Sequence, residues 1–331
     1  MSYIITIIQR AIVQGIPLLF GSTGEIITEK SGNLNMGIPG IMYVGGISGV
    51  IGAFYYEQSL LPDKSNISPV LAVLIPVLCS LLGSALMALI YGFFTITLRA
   101  NQNVTGLTLT TFGIGIGNFF GGSLIKLSKS EVASISLGAS SKYFKQPLPF
   151  ADKLGWFGDI FLSYGFLAYT AIILAVISAV ILNKTRTGLH LRAVGENPST
   201  ADAAGISVTR YKYFATVLGG AIAGLGGLYY VMDYMTGGWS NNGFGDRGWL
   251  AVALVIFAVW RPNWSIFGSI LFGGLYIIYL YIPNVGRAEQ ELFKMLPYVV
   301  TIIVLIFTSV RSKKEAQPPQ SLGLPYFREE R

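Results

Sequence analysis

The sequence predicts an all-α polytopic membrane protein with about eight to ten transmembrane helices, some of them broken or re-entrant. The first observation is composition: 52% of the 331 residues are hydrophobic and 12% are charged, against roughly 25% charged residues in soluble domains. Disordered chains are polar and highly charged, so disorder is excluded, and the composition disfavours a soluble enzyme, which needs charge to cover its surface. The second observation is that uncharged stretches of helical length recur along the chain, without the alternation of a transmembrane barrel.

The membrane helices are expected where about 20 mostly apolar residues follow one another, because that length spans the hydrocarbon core of a bilayer. Such stretches lie at about 11–24, 31–56, 65–98, 100–125, 160–183, 213–232, 262–286 and 295–310. A further stretch, Gly248–Trp260, is shorter and is bounded by Arg247 and Arg261.

Lysine and arginine indicate how these helices are oriented, since cytoplasmic loops of membrane proteins are enriched in both. Basic residues cluster in the loop at about 184–212 and at the start of the tail, so both are predicted to be cytoplasmic. Counting backward places outer loops near 57–68 and 123–160, and gives nine spans with an outer N-terminus unless residues 32–52 are re-entrant or broken. The five lysines of the 123–160 loop run against this assignment, although the rule weakens in long loops.

The chain therefore divides into a transmembrane domain, residues 1–310, and a cytoplasmic tail, residues 311–331. The tail contains Pro318 and Pro319 and carries charges of both signs. We predict that it is a short disordered end, as chain termini often are.

Glycine recurs at helical spacing inside the predicted spans. Gly113, Gly117 and Gly121 follow one another every four residues, and Gly219 and Gly227 belong to a similar row. Rows of small residues at this spacing let helix backbones approach closely in lipid. They predict close packing within one subunit, with subunit pairing or helix sliding as the alternative.

Motifs of catalysis and nucleotide binding are missing from the sequence. It contains no G-x-x-x-x-G-K-[ST] string, no H-E-x-x-H string and no nucleophile elbow. Cys79 lies in an apolar run, and His190 is the single histidine, so a histidine-rich metal site is excluded. We therefore predict a protein that is not an enzyme, with no catalytic residues, metal site or cofactor of its own.

The loop at about 184–212 contains a short helix with well-defined ends. Asn197 is a good N-cap and Pro198 suits the first helical position, where its missing N–H costs nothing. A helix is expected over 199–204, and Gly205 supplies the left-handed residue that ends it. Ser207 is expected to cap the following helix. Loops of this length are more often functional than simple connectors.

Three blocks of sequence resemble one known family. They are Arg192-Ala-Val-Gly-Glu-Asn-Pro with the following Ala201-Asp-Ala-Ala-Gly-Ile, Glu29-Lys-Ser-Gly-Asn-Leu-Asn-Met-Gly-Ile-Pro-Gly, and the stretch from Gly248 to Pro262. In order and spacing they resemble ABC-importer permeases of the branched-chain amino acid and ribose superfamily, and the nucleoside-type branch more closely. Pro39 stands where the pattern E-R-S-G-x-x-N-x-G-x-E-G of that branch has its second acidic residue.

The resemblance implies a type II-like ABC importer permease in a bacterial cell (plasma) membrane. Family members pair with a second permease, often a related but different chain, and with cytoplasmic ATP-binding subunits that use ATP and magnesium. An extracellular substrate-binding lipoprotein would deliver the ligand to the outer loop at 123–160; membrane lipids surround the assembly, and no nucleic acid is involved. Contact with the ATPase is expected from Arg192, Gly195, Glu196, Asn197, Pro198, Ala201 and Gly205.

Polar groups inside the predicted spans are candidates for a substrate path, because ionisable residues in membranes are usually functional. Asp233 has no partner nearby in sequence, whereas the adjacent Asp246 and Arg247 are expected to neutralise each other. Unwound backbone often lines a ligand cavity, although threonine hydroxyls can also be satisfied by their own helix. The candidate residues are Asn33, Asn35, Thr108, Phe112, Asn118, Asp233 and Trp239.

A nucleoside is the expected cargo, because aromatic side chains such as Phe112 and Trp239 can stack on a base and polar groups can bind ribose. Ribose, a branched-chain amino acid or a flavin-like vitamin could be carried by the same mechanism. An ion-coupled secondary transporter is the alternative of a different class. It would need buried acidic residues and inverted repeats, and Asp233 is the one candidate that the sequence makes evident.

Overall fold

The computed structural model describes residues 2–61, 66–127, 135–311 and 317–328. The membrane helices are α1 (Ser2–Glu29), α2 (Ile38–Ser59), α3 (Pro69–Gly92), α4 (Gln102–Leu127), α7 (Phe166–Lys184), α10 (Val208–Tyr229), α11 (Arg247–Phe257), α12 (Pro262–Ile277) and α14 (Leu296–Arg311). The short helices are α5 (Gly138–Phe144), α6 (Gly155–Phe161), α8 (Arg186–Glu196), α9 (Pro198–Ala203) and α13 (Arg287–Lys294). Two short antiparallel strands, β1 (Ile135–Ser136) and β2 (Gly238–Trp239), pair with each other.

The helices have the length and composition of a multi-pass membrane protein. Seven helices in the described ranges are long and apolar enough to cross a bilayer, and α11 is a shorter apolar helix. α4 is less apolar because of its glycines and threonines, but its 26 residues span about 39 Å at 1.5 Å per residue. The described part of the chain therefore has nine membrane segments, which confirms the predicted all-α class.

The centre of the bundle is built on small residues. α10 packs against α1, α2 and α3, and α2 also packs against α4. A Cβ atom on Gly219 would lie 2.3 Å from the carbonyl oxygen of Gly24, and one on Gly113 would lie 2.6 Å from that of Gly40. Such distances are too short for any side chain, so the predicted glycine rows pack helices inside one subunit.

The two ends of the bundle are defined by contacts between distant segments. Gln9 Nε2 donates to the carbonyl oxygen of Asp159 at 2.7 Å, so the N-terminus lies at the end that carries the predicted outer loop. The loop at 184–212 and the tail meet at the other end, which we call the cytoplasmic end. This arrangement agrees with nine spans and an outer N-terminus. Residues 128–134 of the outer loop lie outside the described residues.

The prediction of a disordered tail is wrong for residues 317–328. This part, the C-terminal segment, is ordered against the cytoplasmic end: Tyr326 donates to Asp202 Oδ2 at 2.9 Å, and Gln102 Nε2 donates to the Leu324 carbonyl at 3.5 Å. Its proline-rich composition suggested disorder, but hydrogen-bond partners more than 100 residues away order it. Residues 312–316 and 329–331 lie outside the described residues.

Candidate functional site

Two helices begin inside the membrane rather than at its surface. α11 has 11 residues, about 16 Å at 1.5 Å per residue, whereas the hydrocarbon core is about 30 Å thick. Its C-terminal side is held at the cytoplasmic end, because the indole N–H of Trp260 donates to the carboxylate of Glu29. The start of α11 therefore lies near the midplane. There Gly248 contacts Pro39, so α2 begins at a similar depth.

The break predicted within residues 32–52 is confined to the link at residues 30–37, after which α2 is continuous. Irregular backbone at membrane depth is stable when protein groups satisfy its hydrogen bonds. These bonds are Leu34 N to Gln102 Oε1 at 2.6 Å, Tyr91 Oη to Leu34 O at 2.5 Å, Asn35 N to Glu25 Oε1 at 3.1 Å and Thr110 Oγ1 to Met36 O at 2.8 Å. Side chains of α1, α3 and α4 thus hold the link.

Asn33 and Asn35 lie in this link and are fully buried. Asn33 Nδ2 donates to Thr216 Oγ1 at 3.1 Å, and Asn35 Oδ1 accepts from Gly37 N at 3.0 Å. Each asparagine still has one polar atom, Asn33 Oδ1 and Asn35 Nδ2, without a partner among the described residues. Their contacts are those of residues that shape the link, and a direct role in the substrate path stays a prediction.

α1 contributes two buried carboxyl groups that the sequence reasoning did not count. Glu25 and Glu29 are 0% and 3% exposed. Glu25 accepts from the backbone of the link, and Glu29 accepts from Trp260 beyond the end of α11. Asp233 is therefore not the only acidic group inside the bundle. Glu25 and Glu29 together connect the link before α2 with the segment after α11.

A cavity of about 170 Å³ lies where α2 and α11 begin; we call it the midplane cavity. Its lining combines aromatic faces with polar groups and consists of Pro39, Tyr43, Ile114, Asn242, Phe244, Gly245, Asp246 and Trp249. Helix N-termini carry partial positive charge and unpaired N–H groups. Discontinuous helices that begin at the midplane form ligand sites in other transporters for this reason. The geometry marks this cavity as the candidate substrate site.

A hydrogen-bonded triad forms one wall of the midplane cavity. Tyr43 Oη donates to Asn118 Oδ1 at 2.5 Å, and Asn242 N donates to Tyr43 Oη at 2.9 Å. Asn118 Nδ2 closes the ring by donating to Asn242 Oδ1 at 2.9 Å. Trp239 packs edge-on against Tyr43 with ring centroids 5.1 Å apart. Two predicted residues, Asn118 and Trp239, thus support the wall of the cavity.

Asp246 and Arg247 do not neutralise each other, contrary to expectation. The Arg247 guanidinium is buried, donates to the carbonyl of Phe244 at 2.8 Å, and lies 4.5 Å from the ring centre of Tyr230 and 5.2 Å from that of Tyr234. Ring faces attract a cation in a dry environment, so these rings take the place of a carboxylate. Asp246 is exposed and lines the midplane cavity.

Asp233 lies elsewhere, in the π turn Tyr230–Tyr234 at the outer end of α10. It is 5% exposed and does not line the midplane cavity. Its Oδ2 atom lacks a hydrogen-bond partner among the described residues, as do the hydroxyls of Tyr164 and Tyr229. Tyr229 interacts electrostatically with both Asp233 and Tyr164. Asp233 thus belongs to a separate cluster of polar groups, and its role in the substrate path stays a prediction.

Thr108 and Phe112 lie on the exposed face of α4. Phe112 is 53% exposed, and Val104 and Phe119 on the same helix are exposed as well. α4 packs on α2 and more lightly on α3, which leaves this face uncovered within the chain. Both residues could border a substrate path only if another subunit covers them, so their role also stays a prediction.

The short helix of the 184–212 loop, here called the coupling helix, is α9. Asn197 is its N-cap, with Oδ1 accepting from Thr200 N at 3.0 Å, and Pro198 is its first residue. Gly205 follows with φ +82°, as predicted for the residue that ends the helix. Ser207 occupies the N-cap position of α10 without a side-chain capping bond. A further helix, α8, precedes α9 and was not predicted.

The coupling helix is anchored on one side and open on the other. Ala201 is 3% exposed and packs with Val194 and Val208, whereas Ala204 and Gly205 are exposed. A Cβ atom on Gly205 would meet nothing within 4 Å. The open side thus presents a small apolar surface at the cytoplasmic end.

Three other predicted contact residues, Arg192, Gly195 and Glu196, lie in α8. Gly195 lies so close to the link that a Cβ atom would be 2.3 Å from the carbonyl oxygen of Lys30. Glu196 Oε2 accepts from Gln320 N at 3.4 Å, and Arg192 is half-buried beside it. Gly195 therefore connects α8 to the link, and Glu196 connects it to the C-terminal segment.

Tyr43, Asn242 and Asp246 line the midplane cavity but are not among the residues predicted from the sequence for the substrate path. One signal could have found them. The apolar stretch Gly248–Trp260 is too short to span a bilayer and follows the glycine-rich string Asn241-Asn-Gly-Phe-Gly-Asp-Arg. A short, glycine-interrupted hydrophobic segment is a pointer to a transporter binding site.

The known proteins similar to this chain include several that are named as permeases. The family described as "Branched-chain amino acid transport system / permease component" matches residues 7–305. The nucleoside ABC transporter permease protein NupC of Lactococcus lactis is 31% identical and covers 90% of each chain. The guanosine ABC transporter permease protein NupQ of Bacillus subtilis is 28% identical over 98% of this chain and 97% of its own. The putative glucose ABC transporter permease protein TsgC13 of Haloferax volcanii is 28% identical over 99% of both.

Proposed function

The chain belongs to the family of branched-chain amino acid transport permeases, and we propose that it forms the path by which an ATP-driven importer takes up nucleosides. It is a multi-pass integral protein of the plasma membrane, with helices that have the length and composition to cross it. Because the chain belongs to this family, an ion-coupled secondary transporter is no longer an alternative. The cargo and the partners are proposals, argued below from the cavity and the coupling helix.

The midplane cavity is the observation that carries the nucleoside proposal. Tyr43, Phe244 and Trp249 offer aromatic faces on which a base can stack. Asn242 and the Asp246 carboxylate offer hydrogen-bonding groups for the edge of the base and the ribose hydroxyls. The volume of about 170 Å³ is below the roughly 300–1,000 Å³ of typical ligand pockets, so the site needs a change of shape or a second subunit to enclose a nucleoside.

A sugar is the second candidate cargo. The relative TsgC13 is named as a putative glucose permease and is similar over the whole chain. Aromatic faces beside a carboxylate and amides could also bind sugar hydroxyls. A sugar would make less use of a second ring face, because it has no base to stack between two aromatic side chains.

The coupling helix is where a cytoplasmic ATPase would bind. Its open side presents Ala204 and Gly205, and Asn197 and Pro198 fix its start. The ATP-binding subunit would bind ATP and magnesium and move the coupling helix when it closes. Ala201 and Gly195 would pass this movement to the membrane domain, because both are buried against it.

A second permease would cover the exposed face of α4. Four large side chains on this helix, Val104, Leu107, Phe112 and Phe119, are at least half exposed. Small residues such as Gly115 lie between them on the exposed side. A related but different chain in this position could complete the midplane cavity. An extracellular binding lipoprotein would then deliver the ligand to the outer end, where the loop at 123–160 lies.

Uptake by the reconstituted complex tests the function. The chain is purified with its ATPase and second permease, placed in liposomes, and supplied with the binding protein and with radiolabelled guanosine, uridine or glucose. We expect ATP-dependent accumulation of a nucleoside that is reduced at least tenfold by Tyr43→Ala. Accumulation of glucose without any nucleoside would reject the nucleoside cargo and leave the permease role intact.

A further inference from the structure

A second, larger cavity lies at the cytoplasmic end of the bundle and is separate from the midplane cavity. Its volume is about 560 Å³, and it is walled by the ends of α7, α8 and α12 with the link and the C-terminal segment. The charged side chains among the described residues that line it are Lys30, Arg192, Arg261 and Glu196. The cavity therefore carries an excess of positive charge.

Among the described residues that line this cavity, Glu196 is the one carboxylate beside three cations. Arg192 Nε is buried and has no hydrogen-bond partner among the described residues. Burial lowers the pKa of Lys30 below its usual value; Glu196 opposes this shift, but the facing Arg192 and Arg261 add to it. Neighbouring cations that repel one another, one of which keeps a buried and unused donor, are suited to an anion with several acceptor oxygens.

The surroundings of the cavity belong to the membrane surface. Trp260 and Trp264 line it, and tryptophan is enriched at the level of lipid headgroups. Two apolar surfaces lead away from it toward the outer end. On α12, Trp264, Phe267 and Leu271 are 57%, 69% and 43% exposed, and on α7, Val176 and Val180 are 45% and 51% exposed. An anion that also carries long apolar chains matches this combination.

We propose that this cavity binds the phosphate headgroup of an anionic phospholipid from the cytoplasmic leaflet. The headgroup oxygens accept hydrogen bonds from Arg192, Arg261 and Lys30. The acyl chains lie against the exposed apolar faces of α7 and α12. Basic pockets between membrane helices on the cytoplasmic side are known to suit such headgroups. A free phosphate ion would use the same cations but would leave the apolar surfaces unused.

A lipid held here would connect three parts of the cytoplasmic end. Lys30 belongs to the link before α2, Arg192 belongs to α8 next to the coupling helix, and Arg261 lies between α11 and α12. Each of these parts places a positively charged side chain in the same cavity. The bound phosphate would reduce the repulsion among the three side chains. The proposal does not depend on which cargo the protein carries.

Native mass spectrometry of the purified, delipidated full chain tests the proposal. Dioleoylphosphatidylglycerol is the anionic probe, dioleoylphosphatidylcholine is the zwitterionic probe, and sn-glycerol 1-phosphate is the chain-free probe. We expect preferential binding of one phosphatidylglycerol molecule. The double variant Lys30→Gln/Arg261→Gln should bind it about 25-fold more weakly, at about fivefold for each lost charge near a membrane surface.

The matched control is Lys184→Gln/Arg186→Gln, which removes two exposed cations at the same end of the bundle but outside the cavity. This control should retain the affinity of the unchanged protein. Equal binding of both lipids, or equal losses in the two double variants, would overturn the proposal. Equal affinity for glycerol phosphate and phosphatidylglycerol would show a phosphate site and would also overturn the lipid assignment.

A measurement on the unchanged protein avoids the risk that the double variant does not fold. Phosphatidylglycerol with brominated acyl chains quenches tryptophan fluorescence on contact, and Trp264 is the exposed tryptophan of this cavity. We expect stronger quenching by brominated phosphatidylglycerol than by brominated phosphatidylcholine. This difference should disappear in Trp264→Phe, and its persistence there would argue against the site.

Discussion

Ser321 donates two hydrogen bonds to one acceptor, the carbonyl oxygen of Gly195, from its backbone N at 3.0 Å and from its Oγ at 2.5 Å. On its other side Gly195 packs against the backbone of Lys30, at the start of the link that leads to α2. Gly323 N also donates to the carbonyl of Gly32 at 3.2 Å. The C-terminal segment, α8 and the link therefore form one unit between the coupling helix and the midplane cavity.

Gly195→Ala should lower the thermal unfolding temperature and weaken coupling. Its Cβ would lie 2.3 Å from the Lys30 carbonyl, and overpacking of this kind costs about 1–3 kcal/mol. We expect the ATPase of the assembled complex to respond less to cargo. Gly115→Ala is the control, because a Cβ there meets nothing within 4 Å and alanine favours the helix. Equal unfolding temperatures for the two variants would contradict the packing argument.

Removal of residues 317–331 should uncouple ATP hydrolysis from transport. The deletion removes the hydrogen bonds to Gly195 and Gly32, each contributing about 1 kcal/mol, and frees α8 from the link. We expect ATPase activity to persist while uptake falls several-fold, measured on the same proteoliposomes.

Asp202→Asn should disturb the packing of the C-terminal segment less than its deletion does. Asp202 accepts from Tyr326 at 2.9 Å and lies 3.3 Å from Arg328 Nε, so loss of its charge weakens the end of the segment and leaves the bonds of Ser321 and Gly323 in place. We expect its ratio of uptake to ATP hydrolysis to lie between those of the unchanged protein and the deletion variant. Unchanged ratios in both the deletion and this variant would mean that the C-terminal segment plays no part in coupling.

Tyr43→Phe should raise the KM of nucleoside uptake about fivefold. The change keeps the aromatic face but removes the hydroxyl that links Asn118 and Asn242, and a hydrogen bond of this kind contributes about 1 kcal/mol. Tyr43→Ala should lower uptake further, because it also removes the stacking surface. Tyr55→Phe is the matched control, since Tyr55 is 57% exposed away from the cavity. Transport kinetics in which Tyr43→Phe equals Tyr55→Phe would remove the triad from the substrate site.

Ala204→Glu should prevent binding of the ATPase without unfolding the chain. Ala204 is exposed beside Gly205 on the open side of the coupling helix, so a charge there is harmless in solution and costly in an apolar groove. We expect the variant to purify without its ATP-binding subunit. Ala288→Glu makes the same change at an exposed position on α13 near the outer end and should co-purify normally. Co-purification of both variants would place the ATPase elsewhere.

The local sequence alone was sufficient to predict the positions of the membrane helices and of the coupling helix. Hydropathy acts over one helix length, so the spans were predicted close to their observed positions. The caps of α9 depend on hydrogen bonds within four residues, and Asn197, Pro198 and Gly205 therefore predicted its ends. The glycine rows likewise predicted close helix packing from spacing alone.

The tertiary structure decided which polar groups meet. Tyr43 and Asn242 are 199 residues apart in sequence, and no local pattern pairs them in one cavity wall. Arg247 binds aromatic rings rather than Asp246, because the fold brings Tyr230 over its guanidinium. The C-terminal segment has a composition typical of disorder, yet Gly195 and Asp202 order it from more than 100 residues away. The all-α membrane class follows from interactions along single helices, whereas the candidate site and the route to it depend on contacts between helices distant in sequence.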